Sequence, residues 1–538
     1  MLLVAASLGA SACAVRTSSE RTPPDVLRMA SQGDLPSLNP LVSDNASLSY
    51  FSELYSGFLL RADDEGRLVP ELAVQVPTVA NGGLSRNGLT LTYRLRRGVR
   101  WHDGVPFTAH DVVFSFGAAM DPANNVPDRS GFDDVASVQA QGDATVVVRL
   151  RRPYSPGVAT FFTTGANDPY PILPAHILER EHDLNGPAYD ERPVGLGPYK
   201  LTRWERGSRL RFEADPNYFR GRPAIARIDV MVVPDSNTIL TLWRSGGLDF
   251  MTVRGFGATQ AILDQARAVA GSRSYLRDHY EFNYVMFNLT RPPLDDPRVR
   301  EALVRGIDVA HIMRALQGEI WRPGEGDRLP GQFAYDPSIR QAPYDPQASA
   351  ALLDAAGWKL RGGVRTRDGK PLALEIVGSA GSAGSERFDV LLQSELTKLG
   401  IRATIKNYQY NLLFEPYQNG GIFAGGKFDL TFYGWQPGED ADHSYLFRCD
   451  SRPPNGENYG RICDPLVDRA AQIELTSSDP AQEAAADRAI LRELNAQHDQ
   501  LWLGFDREAV VARSELAGLR PSVLGRHLWN VWEWHWTR

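Results

Sequence analysis

Cysteine is nearly absent, with three residues in 538, at positions 13, 449 and 463. That scarcity excludes a cysteine-stapled scaffold and a zinc module built on paired close-spaced thiols. Positive charge is in deficit as well, since 58 Lys and Arg face 65 Asp and Glu for a formal net charge of −7. No basic stripe is left to neutralise phosphates, which excludes a nucleic-acid partner and suits a neutral or cationic ligand. The one N-terminal apolar run is too short to span a bilayer. H-E-x-x-H, G-x-S-x-G and G-x-x-x-x-G-K-[ST] are all missing, and the ten His are scattered without ligand spacing. A secreted hydrolase or peptidase would lack its machinery, and no cofactor or metal is called for.

What is present is size. A chain this long exceeds one compact core, which favours two or three lobes with clefts between them. A composition of 43% hydrophobic and 23% charged residues is globular, and 48 Gly with 36 Pro imply many turns between short elements. The first fifteen residues, MLLVAASLGASACAV, carry no charged side chain, and Ala10, Ser11 and Ala12 precede Cys13. This is the arrangement of a bacterial lipoprotein export signal, which would make Cys13 the lipidated N-terminus and anchor the chain to a membrane. A soluble signal peptide is the plainer alternative. Cys449 and Cys463 bracket the polar segment CDSRPPNGENYGRIC, and in an exported chain they form a disulfide closing a loop worth about 3 kcal/mol. A metal site with His443 and Asp464 is the competing reading.

Along the chain, strand, loop and amphipathic helix follow one another from residue 26 to 60. Thr90 to Leu95 and Thr145 to Leu150 alternate as strands. Thr108 and Asp111 stand in capping-box spacing ahead of Val112, Val113 and Phe116. From Asp295 the spacing of Val299, Leu303, Ile307, Ala310 and Met313 predicts one long helix closed by Gly318, with Asp296, Arg298 and Arg300 as its start and solvated face. A second helix is capped by Asp345, opens on Pro346, buries Leu352 and Leu353 and stops at Gly357. Trp101 to Gly104 reads as a tight turn with Trp101 in the core, and Gly195 to Tyr199 as a turn entering a strand.

The stretch LRRGVRWHDGVPFTAHDVVFSF closely resembles a signature of the extracellular solute-binding proteins of family 5, the oligopeptide, dipeptide and nickel receptors of ABC importers. VGLGPYKLTRWERGSRLRFEADPNYFRGRP, LWRSGGLDF, LDDPRVREALVRGIDVAHIM, YDPQASAALLDAAGW and FDLTFYGW follow in the family's order, and on these the chain is identified as a member. The resemblance implies an α/β, periplasmic-binding-protein-like fold, with two main lobes joined by a hinge plus an extra α+β domain. The expected division is 1–24 export signal and linker, 25–69 first lobe, 70–192 extra domain, 193–285 first lobe again, 286–501 the other main lobe, and 502–538 back on the first.

It further implies a receptor without catalysis, working at the cell surface or in the periplasm with membrane permease subunits, as a monomer. Its ligand would be a peptide, or else a nickel chelate, oligosaccharide or other small solute. Family receptors hold extended peptides by main-chain bonds and an acidic group for the α-amine shortly after a Gly-Trp pair. Here Tyr433, Gly434 and Trp435 are followed by Gln436, and Gly438 stands at the expected acidic position, so either Glu439 or Asp440 takes that role or the anchor is absent and the ligand needs no amine. Asn45 and Ser47 match the region that offers main-chain contacts. The expected ligand contacts are thus Asn45, Ser47, Tyr433, Trp435, Gln436, Glu439 and Asp440.

Overall fold

The computed structural model describes residues 25–537, except 36, 44, 130, 166–169, 182, 187, 254–259, 438–442 and 478. Cys13, Glu439 and Asp440 therefore lie outside the described residues.

In the first lobe, strand Val26–Ser31 pairs in parallel with Arg227–Val232, and Arg209–Ala214 and Tyr199–Glu205 continue the sheet antiparallel. Alternation turns Leu27, Met29, Phe212 and Val230 to one face, where they bury helix Ala46–Tyr55 through Phe51, Leu54 and Tyr55. The C-terminal segment closes this core with Leu528, Val531 and Trp534. A second core lies under the antiparallel strands Thr90–Arg94, Thr145–Leu150 and Val135–Ala140. Helix Ala109–Met120 packs on it, started by the capping box: Thr108 accepts from the His110 amide and Asp111 accepts from the Thr108 amide.

The other main lobe is built on Ala373–Ser379, flanked in parallel by Arg402–Tyr408 and Leu430–Trp435. Two helices form where the spacing predicted one, Pro297–Gly306 and Val309–Gln317. Gly306 is pressed against the neighbouring helix, where a Cβ would sit 2.5 Å from Ser349 Oγ. Two residues on, Asp308 accepts from the His311 amide and starts a new helix. Arg300 departs from expectation too: it is buried, donating to the Leu294 and Gln497 carbonyls beside Asp499.

Two long antiparallel strands, Ser272–Phe287 and Gln500–Arg513, cross between the main lobes. Their ladder is regular from 272 to 278 and shifts register between Asp278 and Phe282. On one side of the shift Val510 and Ala512 face the first lobe's core; on the other, Phe282, Trp502 and Phe505 belong to the second main lobe. Trp502 thus packs away from the lobe whose core holds Trp534. At the crossing Asp278 pairs with both Arg322 and Arg507.

Candidate functional site

Ligands of open α/β sheets gather at the carboxyl ends of the parallel strands. Here those ends are Ser379, Tyr408 and Trp435. Tyr433 and Trp435 share a face by strand alternation. Trp435 is half-buried and its ring lies 6.1 Å from that of Tyr445, while Tyr433 is buried and donates its hydroxyl to Glu457 Oε2 at 2.5 Å. Gln436 Nε2 donates to the Leu524 carbonyl at 3.0 Å, tying the end of this strand to the C-terminal segment. Asn45 spends its side chain as the cap of the first helix, Oδ1 accepting from the Leu48 amide at 3.0 Å, and Ser47 sits in that helix's first turn.

Sequence reasoning passed over Glu457 and Tyr459, because CDSRPPNGENYGRIC reads as a cysteine-bracketed polar loop. Cys449 and Cys463 are joined in the structure, with Cα atoms 4.5 Å apart, and the closed loop carries both residues. Tyr459, on the same loop, also favours the ionised form of Glu457. Burial pushes the Glu457 carboxyl above its usual range; the two tyrosines work against that shift, and the charge of Asp128 adds to it. The density of aromatics at Tyr408, Tyr410, Phe414 and Tyr417 was the available signal for this wall.

The metal alternative at the cysteines does not form. Asp464 caps helix Pro465–Thr476 by accepting from the Leu466 and Val467 amides. His443 is buried with both ring nitrogens engaged, Nδ1 3.0 Å from Glu474 Oε1 and Nε2 against Asp327. Burial opposes protonation there, yet the flanking carboxylates raise the imidazole well above its ordinary pKa. Arg328 donates to Asp487 Oδ2 at 2.8 Å, so the cluster is a buried ion network of two cations and three carboxylates holding the chain directly after residue 442.

Two quoted motifs interlock. The Trp101–Gly104 turn closes as read, with Trp101 buried, Asp103 accepting from the Val105 amide and Gly104 at φ +94°. His102 then reaches the glycine turn: the Gly195 amide donates to Nδ1 at 3.2 Å and Nε2 lies 2.9 Å from the Gly197 carbonyl. An accepting Nδ1 puts the proton on Nε2, so the ring is neutral. Burial lowers its pKa to about 4. Gly195 is required because a Cβ would overlap the Tyr55 carbonyl oxygen.

A family model, "Bacterial extracellular solute-binding proteins, family 5 Middle", matches residues 67–457. The chain belongs to this family. It is 29% identical over 532 residues to Protein XP55 of Streptomyces lividans, covering 97% of this chain and 92% of that protein. It is 27% identical over 476 residues to Di/tripeptide-binding protein 2 of Pseudomonas aeruginosa, covering 84% and 85%. The crystal structure of NikZ from Campylobacter jejuni in complex with Ni(L-His) superposes with a TM-score of 0.80 at 26% identity, over 95% of this chain and all of that one. The family is one of solute-binding proteins, and no helix among the described residues is long and apolar enough to cross a membrane.

Proposed function

We propose that this family 5 solute-binding protein is the extracytoplasmic receptor of an ABC importer, which closes over an oligopeptide or dipeptide between its main lobes and passes it unchanged to the permease. The observation that carries this reading is the aromatic wall of Tyr433, Trp435 and Tyr445 at the strand ends, beside two long strands crossing between lobes. A guest that must be gripped and later released is best held by main-chain bonds with roomy side-chain pockets, and closure follows from its better fit to the closed state. A relative named as a di/tripeptide-binding protein supports the ligand class.

On this reading residues 25–69, 193–285 and 502–538 form the first lobe, 70–192 the extra domain and 286–501 the other main lobe, except that Phe282, Trp502 and Phe505 pack with the other main lobe's core, the exchange falling in the register shift after Asp278. Cys13 carries the lipid, Cys449 and Cys463 oxidise on export, Asn45, Ser47 and Gln436 contribute at the lobe junction, Glu439 and Asp440 lie beside the ligand, and the receptor works as a monomer without catalysis. A nickel chelate is the second reading, supported by the Ni(L-His) complex of NikZ. Calorimetry with tri- to pentapeptides is the test: saturable one-to-one binding with the peptide recovered intact is expected, and no binding, or cleaved peptide, rejects the reading.

A further inference from the structure

The buried cluster around His443 does not balance its charge. Nδ1 lies 3.0 Å from Glu474 Oε1 and Nε2 lies against Asp327; carboxylates only accept, so both ring nitrogens carry protons and the imidazole is a cation. With Arg328 that makes two positive groups against the carboxylates of Asp327, Glu474 and Asp487, one net negative charge among five side chains. All five are buried, and Ala471, Ile490 and Leu491, one helical turn from Glu474 and Asp487, belong to a hydrophobic core. An uncompensated charge in such a place is costly. Asp327 Oδ1 and Asp487 Oδ1 also lack a hydrogen-bond partner among the described residues, so the excess sits on carboxylates with lone pairs to give.

The arrangement suits a divalent ion in place of the proton on Nδ1. One donor atom each from His443, Glu474 and Asp487 lies within 4.8 Å of the other two, with Nδ1 3.0 Å from Glu474 and 4.0 Å from Asp487 Oδ2. An ion about 2.0–2.2 Å from each donor needs them about 3.3 Å apart, an adjustment that side-chain rotation meets. Asp327, on the far nitrogen, accepts from Nε2–H and turns Nδ1 toward the ion, the carboxylate–histidine relation of metal centres. Phe447 stacks on the same ring at 5.7 Å. Arg328 donates through Nε and Nη2 to Asp487 Oδ2 at 3.0 and 2.8 Å, which leaves Oδ1 for the ion. Once the Nδ1 proton has gone to solvent, the ion and Arg328 together match the three carboxylates. Arg328 also lines a cavity of about 160 Å³ with Glu325, Asp336 and Leu491, which brings solvent to the edge of the cluster.

We propose that His443, Glu474 and Asp487 bind a divalent transition-metal ion of the Zn²⁺ class, with Asp327 as the positioning residue, as a structural centre of the second main lobe. An imidazole among carboxylates favours a borderline ion over Mg²⁺ and Ca²⁺, which prefer oxygen alone. Cys449 and Cys463 are bonded to each other, so neither offers a competing thiolate. Glu474 stands on helix Pro465–Thr476 and Asp487 on helix Pro480–Gln497, so the ion ties the chain at residue 443 to this helix pair. The centre is independent of the peptide reading, because the ion stays with the protein and is not its cargo.

The test strips the full-length protein with a chelator and titrates it with zinc chloride alone, with no peptide present, reading bound metal by plasma mass spectrometry and affinity by calorimetry. One ion per chain is expected, with a melting temperature raised by the ion and unmoved by Mg²⁺. Glu474→Gln removes the excess negative charge, so this variant keeps its fold, and it should lose saturable uptake. Asp327→Asn should weaken binding about 10- to 100-fold, the effect of an outer partner that orients a histidine ligand. Trp435→Ala should keep the ion, whereas an ion held as cargo at the strand ends would be lost from it and kept by E474Q, which overturns the proposal. X-ray absorption on the zinc-loaded wild type needs no variant: one imidazole nitrogen with oxygen donors and no sulfur is expected, and a shell with sulfur or with several imidazoles overturns the site. Failure of the stripped wild type to take up zinc, or equal uptake by folded E474Q, overturns it as well.

Discussion

Tyr433 donates its hydroxyl to Glu457 across 2.5 Å, linking the strand Leu430–Trp435 to the disulfide-closed loop. Tyr433→Phe takes this hydrogen bond from the Glu457 carboxylate. Stability should fall by about 1 kcal/mol in urea unfolding, the net worth of one hydrogen bond. Peptide affinity measured by calorimetry should fall several-fold, because Tyr433 belongs to the proposed binding wall and its ring is no longer held from below.

His102 should make the protein acid-sensitive. Its folded pKa is near 4, below the unfolded value of 6.5, so the unfolded chain takes up a proton first as pH falls. Stability is then full above the unfolded pKa and is lost downward through the interval between the two. Between pH 7 and pH 5 this group alone should cost on the order of 2 kcal/mol. His102→Gln, which can still meet Gly195 and Gly197, should flatten that part of the curve in denaturant titrations at each pH.

Asp389 has the opposite sign. It is fully buried, neither oxygen has a hydrogen-bond partner among the described residues, and burial pushes its pKa up to about 7. A carboxyl whose folded pKa lies above its unfolded value costs stability as pH rises from the unfolded value through the folded one. Asp389→Asn should therefore raise the melting temperature at pH 8 and change it little at pH 4.

Much of the fold was legible because its signals are local. Caps such as Thr108 with Asp111, and Asp345 ahead of Pro346, declare helix starts through residues three or four apart. The need for Gly306 was not, because a Cβ there would meet Ser349, more than forty residues away in sequence. The burial of Arg300 likewise depends on carbonyls at Leu294 and Gln497 that its own helix does not reveal. Tyr433 and Trp435 were reached through the resemblance carried by FDLTFYGW, whereas the contact of Glu457 with Tyr433 exists only once the loop folds under the strand.

Replacing Cys449 and Cys463 together by Ser frees the loop that carries Glu457 and Tyr459. A stability loss of about 3 kcal/mol is expected in denaturant unfolding, from restored entropy of the unfolded chain. Reductant should produce the same loss in the wild type and none in the double variant.

The most direct measurement of the central claim is native mass spectrometry of the freshly purified full-length protein, followed by denaturing release of whatever it holds. A set of intact peptide masses of mixed sequence, one per chain, is the expected result. A single discrete sugar or metal-chelate mass would contradict the peptide reading, and added peptide returned as fragments would contradict a receptor that gives back its guest unchanged.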